Sequence, residues 1–190
     1  MSALPAAYVL AGGRSRRFGS DKALAEIGGE PLLLRVARLA APLAAEVTVV
    51  ADRTDRYPTL GLPTIADEVP ERGPLGGLLT ALGALGARDW ALVLTCDLLV
   101  LKPAWVDTLA TAARGHHAAA FRGDRWQPFP GLYHRSLLGA ARGAVERDEL
   151  AVSHWLEAVG AVGVPIPADW PELVQANTRQ QLEQYRRRGG

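Results

Sequence analysis

Thirteen residues near the start of the chain, Leu10-Ala-Gly-Gly-Arg-Ser-Arg-Arg-Phe-Gly-Ser-Asp-Lys22, concentrate the groups that hold phosphate. Gly12 and Gly13 let backbone N–H groups approach anionic oxygens without side-chain obstruction. Arg14, Arg16, Arg17 and Lys22 add guanidinium forks and a point charge, which suit the spread negative charge of a triphosphate. The spacing matches neither a Walker loop nor a Gly-x-Gly-x-x-Gly dinucleotide fingerprint. On residue types alone the loop is a phosphate site, and a solvated basic surface loop is the competing reading.

Three further constellations carry chemistry. The apolar run Ala91-Leu-Val-Leu94 ends in Thr95-Cys-Asp97, which sets a carboxylate at the carboxyl end of a buried strand. Magnesium prefers hard oxygen ligands and often takes one or two carboxylates plus phosphate oxygens and water, so Asp97 fits a metal position; a turn or capping aspartate is the alternative. Gly73-Pro-Leu-Gly-Gly77 precedes a helical stretch and can bring backbone amides close to a purine edge, or can simply make a tight loop-to-helix joint. In Gln175-Ala-Asn177-Thr178, Asn177 either orients a ligand or caps the last helix, and Thr178 reads as a cap. Cys96 reads as packing rather than nucleophile. The four histidines show no metal-ligand spacing, and Trp90, Trp105, Trp155 and Trp170 sit at element ends where large rings seal a core.

These residues need a scaffold, and the hydrophobic pattern supplies one. Ala6–Leu10 reads as a short buried strand that delivers the polar loop, which runs to about Ile27. Pro31 opens a helix whose apolar positions Leu32, Leu33, Val36, Leu39 and Ala40 recur at helical spacing. Strands follow at Val47–Val50 and, more weakly, Thr64-Ile65; a small-residue helix spans Leu75 to Ala87 before the strand at Ala91. After Asp97 come a helix from Pro103 to Ala113, an extended substrate-side region from Ala118 to Tyr133, helices near Ser136–Glu146 and Val152–Val159, a strand near Val162–Ile166, and a final helix from Thr178 to Arg188. The alternation predicts a Rossmann-like three-layer α/β/α fold: a mostly parallel sheet with helices on both faces and ligands at the carboxyl strand ends. The length of 190 residues fits one domain, with a nucleotide-binding half over about 1–100 and an acceptor-binding half over about 101–190.

Composition narrows the partners. Lys and Arg number 21 against 20 acids, and a net charge of +1 gives no global pull toward nucleic acid or an anionic membrane. The terminal Arg186-Arg-Arg188 run lacks interleaved aromatics and reads as a solvated helix end. No apolar run approaches the ~20 residues that cross a bilayer. A lone cysteine and a start without a signal-peptide pattern fit the cytoplasm.

The run from Leu10 to Leu24 resembles the signature of the molybdenum cofactor guanylyltransferase (MobA-like) family. The resemblance covers nearly the whole chain, because Asp67, Gly73–Gly77, Thr95-Cys-Asp97 and Asn177-Thr178 follow in that family's order. It implies GMP transfer from GTP to the phosphate of molybdopterin or its molybdenum-bound form, with Mg2+ as cofactor and pyrophosphate as the second product. Residue by residue, it implies that Leu10, Ala11, Gly12 and Gly13 hold the nucleotide, that Lys22 meets its phosphates, that Arg17 helps to activate them, and that Asp67 meets the guanosine part. It also implies that Gly73 and Pro74 belong to the guanine side, that Asp97 binds magnesium, and that Asn177 orients the pterin or the metal. The family's partners are then GTP and molybdopterin, with transient contact to cofactor-insertion proteins or molybdoenzymes. Two departures stand out: the family often has proline two residues after the aspartate, where this chain has Leu99, and proline after Asn-Thr, where it has Arg179. A sister transferase that uses CTP or a sugar phosphate, and a non-catalytic molybdopterin or nucleotide carrier, are the alternative readings.

Overall fold

A computed structural model describes residues 5–12, 18 and 21–188. Gly13, Arg14, Arg16 and Arg17 of the phosphate loop lie outside the described residues.

The first strand, β1 (Ala6–Leu10), is buried along its whole length, as an apolar run covered on both faces must be. Lys22–Leu24 then form one 3-10 turn, and β2 (Glu26–Ile27) pairs antiparallel with β3 (Glu30–Pro31) across Gly28-Gly29. Both glycines have positive φ, so the loop that reads as polar and irregular closes on a small hairpin. Helix α1 (Leu32–Ala40), β4 (Glu46–Ala51), β5 (Thr64–Ala66), α2 (Gly73–Gly83) and β6 (Trp90–Thr95) complete the first half. α2 starts two residues earlier than its apolar pattern indicates, because Gly73 and Pro74 supply its first turn, and it ends at Gly83.

The second half contains α3 (Pro103–Ala112), β7 (Ala118–Arg122), β8 (Trp126–His134), α4 (Leu138–Glu146), α5 (Val152–Ala158), β9 (Val162–Pro165) and α6 (Arg179–Arg187). The single extended region of the sequence is thus two antiparallel strands, β7 and β8, with a register shift between Ala120 and Phe121. Local pattern cannot separate one bent strand from two short ones when the turn between them is brief.

The main sheet has the order β5-β4-β1-β6-β8-β7-β9. All neighbouring pairs are parallel except β6–β8 and β7–β8, so β8 alone runs against the others. Helices cover both faces. α1 and α3 pack through Leu33, Val36, Trp105 and Leu109 on the face of Ala7, Val9 and Leu92. α2, α4 and α5 pack through Leu75, Leu78, Ala141 and Trp155 on the face of Ala6, Tyr8 and Val93. Alternate residues of β1 therefore serve opposite cores, the period-two consequence of a buried strand. A third, smaller cluster joins Phe18, Ile27, Leu32, Leu99, Ala176 and Leu182, and it seats α6 beside the β2–β3 hairpin.

From β1 the chain moves through α1 on one face to β4 and β5, then returns through α2 on the other face to β6. β1 therefore lies between the two directions of winding, and a crevice opens at its carboxyl end.

Candidate active site

That crevice is a cleft of about 900 Å³, lined at its floor by Leu10, Ala11 and Gly12. Lys22, Asp67, Gly73, Pro74, Asp97 and Asn177 line its walls. Every candidate residue among those described is thus in one place, although they span the chain from position 10 to 177.

Asp97 is 7% exposed. Its Oδ2 accepts from the Lys22 ammonium at 2.5 Å, while its buried Oδ1 has no hydrogen-bond partner. A buried carboxylate oxygen without a donor costs free energy unless something binds it. A divalent cation held by one carboxylate oxygen, phosphate oxygens and water fits that atom. Among the described residues no group of three or more potential ligands surrounds a point, so Asp97 matches a one-carboxylate site and not an all-protein cage.

The loop that carries Asp97 is fixed by a C-terminal strap. Leu99 N–H donates to Val174 O at 2.8 Å, Ala176 N–H donates to Asp97 O at 3.0 Å, and Leu98 bridges Gln175 antiparallel. The proline that the resemblance leads one to expect at 99 has no N–H for the first of these bonds. Gln175 donates from its amide to Thr95 Oγ1 (3.2 Å) and to Phe129 O (3.3 Å), which ties the strap to β6 and β8.

The strap also gives the cap position of α6 to Thr178, while the Asn177 N–H donates to Gln181 Oε1 at 2.7 Å. Thr178 is the cap of α6, with a reciprocal bond to Gln181 in a capping box. Asn177 lies on the cleft side, its Oδ1 3.5 Å from Lys22 Nζ. At the second departure, Arg179 donates from Nε to Phe18 O at 2.7 Å and pins α6 to the one described residue between 13 and 20.

Three further residues, to which the sequence assigned no role, line or support the cleft. Asp21 accepts from Ala23 N–H (3.1 Å) and from the Arg56 guanidinium (2.7 Å), so it starts the 3-10 turn that aims Lys22. The Tyr57 hydroxyl donates to Ala11 O at 3.1 Å; burial and the Asp21 charge push its pKa up, which keeps the proton it donates. Asp52, at the carboxyl end of β4, lines the same cleft. The available signal was positional, an acid immediately after a buried strand.

At the far wall, Asp67 Oδ1 accepts from the Thr80 hydroxyl (2.8 Å) and from Val69 N–H (3.2 Å). Burial raises its pKa, and the Thr80 hydrogen bond opposes this in part. Gly77 faces Leu10: a Cβ there would lie 3.0 Å from Leu10 Cδ2, so glycine lets the first turns of α2 pack on the floor of the cleft. Cys96 stays a thiol, its pKa pushed up to about 12 by burial first and by Asp97 next. The thiolate needed for attack is then negligible near neutrality.

A nucleotide-sized cleft at a sheet switch point, with an aspartate just past β6 paired to a lysine from the 3-10 turn, is an arrangement that suits phosphate and a metal. The family model for the MobA-like NTP transferase domain matches residues 7–162. The chain belongs to the MobA-like NTP transferases. Related transferases cover almost its whole length. It is 35% identical to a probable molybdenum cofactor guanylyltransferase of Synechococcus elongatus, over 91% of this chain and 93% of that protein. It is 32% identical to the molybdenum cofactor guanylyltransferase of Pseudomonas aeruginosa, over 97% of each. The solved structure of molybdopterin-guanine dinucleotide biosynthesis protein A from Archaeoglobus fulgidus superimposes with a TM-score of 0.83 at 20% identity, over 97% of this chain and 98% of that one. The last match supports the three-layer fold; the first two carry the family. Among the described residues no helix of this transferase is long and apolar enough to cross a membrane.

Proposed function

We propose that this transferase moves GMP from GTP to the terminal phosphate of molybdopterin, or of its molybdenum-bound form, and releases pyrophosphate. The observation that carries the reading is the buried Asp97 carboxylate, half bound to Lys22 and half unpartnered, facing the Gly12 end of β1. An acceptor phosphate oxygen forms the new bond to the α-phosphorus as the bond from that phosphorus to the bridging oxygen breaks. The electron pair leaves with pyrophosphate. The acceptor phosphate is already a nucleophile near neutral pH, so the protein's task is alignment and charge stabilisation.

The residues divide that task. Leu10, Ala11, Gly12 and Gly13 hold the nucleotide. Lys22 exchanges Asp97 for the phosphates, with Arg17 beside it, and together they meet the charge that passes to pyrophosphate. Asp97 would hold the divalent metal common to this class, which we take as Mg2+ and which would supply Lewis-acid charge withdrawal from the phosphate. Asp67, Gly73 and Pro74 take the nucleoside, and Asn177 takes the acceptor or the metal. The nucleotide is held by residues up to about 100, and the acceptor by those beyond, within one domain. The cytoplasm is the proposed compartment, and proteins that insert or use the cofactor are its proposed recipients.

Asp97→Ala is the direct test. Magnesium-dependent pyrophosphate release from GTP with molybdopterin is expected to fall by more than about a hundredfold, the scale of removing a preorganised charge. A cooperative thermal transition is expected to remain. Retained turnover would refute the metal assignment. A triphosphate panel that favours CTP, or binding without pyrophosphate release, would favour the cytidylyl or carrier readings.

A further inference from the structure

We propose that the Thr95 hydroxyl, oriented by Gln175, donates a hydrogen bond to the phosphate of the acceptor and makes the end of β6 the acceptor edge of the cleft. This rests on the transfer reading above and adds a residue that binds the second substrate. Thr95 is the last residue of β6 and lines the cleft. Side chains alternate along that strand: Leu92 and Leu94 join the core of α1 and α3, and Val93 joins the core of α2, α4 and α5. Thr95 follows Val93 in this alternation and stands on the α2 side, beside its register partner Leu10. The sheet order β5-β4-β1-β6 puts it three strands from the one that delivers Asp67, about 14 Å at the ~4.8 Å spacing of neighbouring strands. With the nucleoside at Asp67 and the triphosphate at Lys22, the β6 end is left to the acceptor.

The direction of the hydroxyl proton follows from its neighbours. The side-chain nitrogen of Gln175 lies 3.3 Å from Phe129 O and 3.2 Å from Thr95 Oγ1. A backbone carbonyl only accepts, so the end of the amide that faces Phe129 is the NH2 group, and its second N–H donates to Thr95. The Thr95 oxygen is therefore an acceptor toward Gln175, and its own proton points elsewhere. Among the described residues that proton is donated to no group. Two residues on, Asp97 Oδ1 is unpartnered as well, so the same corner of the cleft offers an open donor and an open acceptor. The hold on Thr95 is firm. Leu98 N–H donates to its carbonyl at 3.1 Å, and Val174 and Ala176, on either side of Gln175, are bonded to Leu99 and Asp97. A hydroxyl donor fixed in direction, in the cleft that Lys22 also lines, suits the charge-assisted hydrogen bond of a phosphate oxygen.

The test measures the two substrates separately and without turnover. Thr95→Val keeps the shape and removes the hydroxyl, Thr95→Ser keeps the hydroxyl, and Gln175→Met removes the amide that aims it; melting curves confirm that each full chain folds. Molybdopterin is titrated by calorimetry into chain saturated with magnesium and α,β-methylene GTP, whose carbon bridge blocks transfer, and GTP with magnesium is titrated alone. Thr95→Val is expected to weaken molybdopterin by about tenfold or more, the scale of a hydrogen bond to a charged group, and to leave GTP affinity unchanged. Thr95→Ser should restore most of the loss, and Gln175→Met should fall between. The double variant should bind molybdopterin no more weakly than Thr95→Val, because the amide acts through the hydroxyl. Unchanged molybdopterin affinity in Thr95→Val, an equal loss for GTP, or additive losses in the double variant overturns the proposal while the transfer reading stands. A wild-type chain that binds GTP but not molybdopterin overturns both.

Discussion

At the scale of single residues, the cleft holds carboxylates in unfavourable states. Asp97 leaves one buried oxygen unpartnered, and Lys22 neutralises the other. In the proposed reaction, phosphate and metal together would satisfy both residues, the ammonium passing to phosphate and the carboxylate to the cation. Asp67 is a second case. Its pKa is raised from the 3.8 of a free aspartate, so the fold favours its protonated form. Stability from this group is fully present below about 3.8 and is lost as pH rises through the elevated value. Asp67→Asn keeps an acceptor for Thr80 and Val69 but carries no charge. Its melting temperature should match wild type at pH values below about 3.8, exceed it as pH rises through the elevated value and keep that advantage above it, while GTP affinity falls. Melting curves across that range, with calorimetry at pH 7.5, check both arms; an advantage that shrinks with rising pH would contradict the burial argument.

At the scale of elements, the start of α2 is where packing and binding meet. The 73–77 run forms its first turns, and glycine is required there by neighbours as well as by conformation. A Cβ on Gly76 would lie 2.9 Å from Arg72 Cβ and 3.0 Å from Val69 O, and backbone cannot yield as a side-chain tip can. Gly76→Ala should cost about 1–3 kcal/mol by overpacking. That corresponds to a fall of several degrees in Tm, at about 2–4 °C per kcal/mol for a chain of this size. It should also weaken GTP binding, because Gly73 and Pro74, which line the cleft, shift with the turn. Gly139→Ala in α4 is the control. Nothing lies within 4 Å of its Cβ and its φ is not left-handed, so it should gain about 0.5–1 kcal/mol from reduced chain entropy. Calorimetric melting of both variants distinguishes local crowding from a general sensitivity of helical glycines.

At the scale of the whole molecule, the cleft draws on the ends of β1, β4, β5 and β6 and on the strap before α6. A ligand there bridges segments that are far apart in sequence, so it stabilises the fold as a unit. Saturating GTP with magnesium, at a hundredfold excess over Kd, should stabilise by about 2.7 kcal/mol. The expected rise in Tm is on the order of 5–10 °C. ATP at equal concentration should give less. An absent shift with GTP would count against nucleotide binding whatever the acceptor.

The amino-acid sequence by itself determined the layers, the strand ends and most of the chemistry. Buried runs such as Ala6–Leu10 and Ala91–Leu94 can only be interior strands, and loops at their carboxyl ends are where ligands gather. Residue type pointed Lys22 to phosphate and Asp97 to a metal, whereas Asp67 entered only through the family resemblance. Tertiary structure alone decided what depends on distance between remote segments. It split Asn177 from Thr178, one to the cleft and one to the cap. It showed that Leu99 and Arg179, which depart from the family pattern, use a backbone N–H and a guanidinium to hold the strap and the loop. It brought Asp21, Asp52 and Glu71 to the lining of one cleft from three separate segments. Hydrophobic periodicity records which face of an element is buried, but it carries no information on which two loops meet, and so these contacts had no local signal.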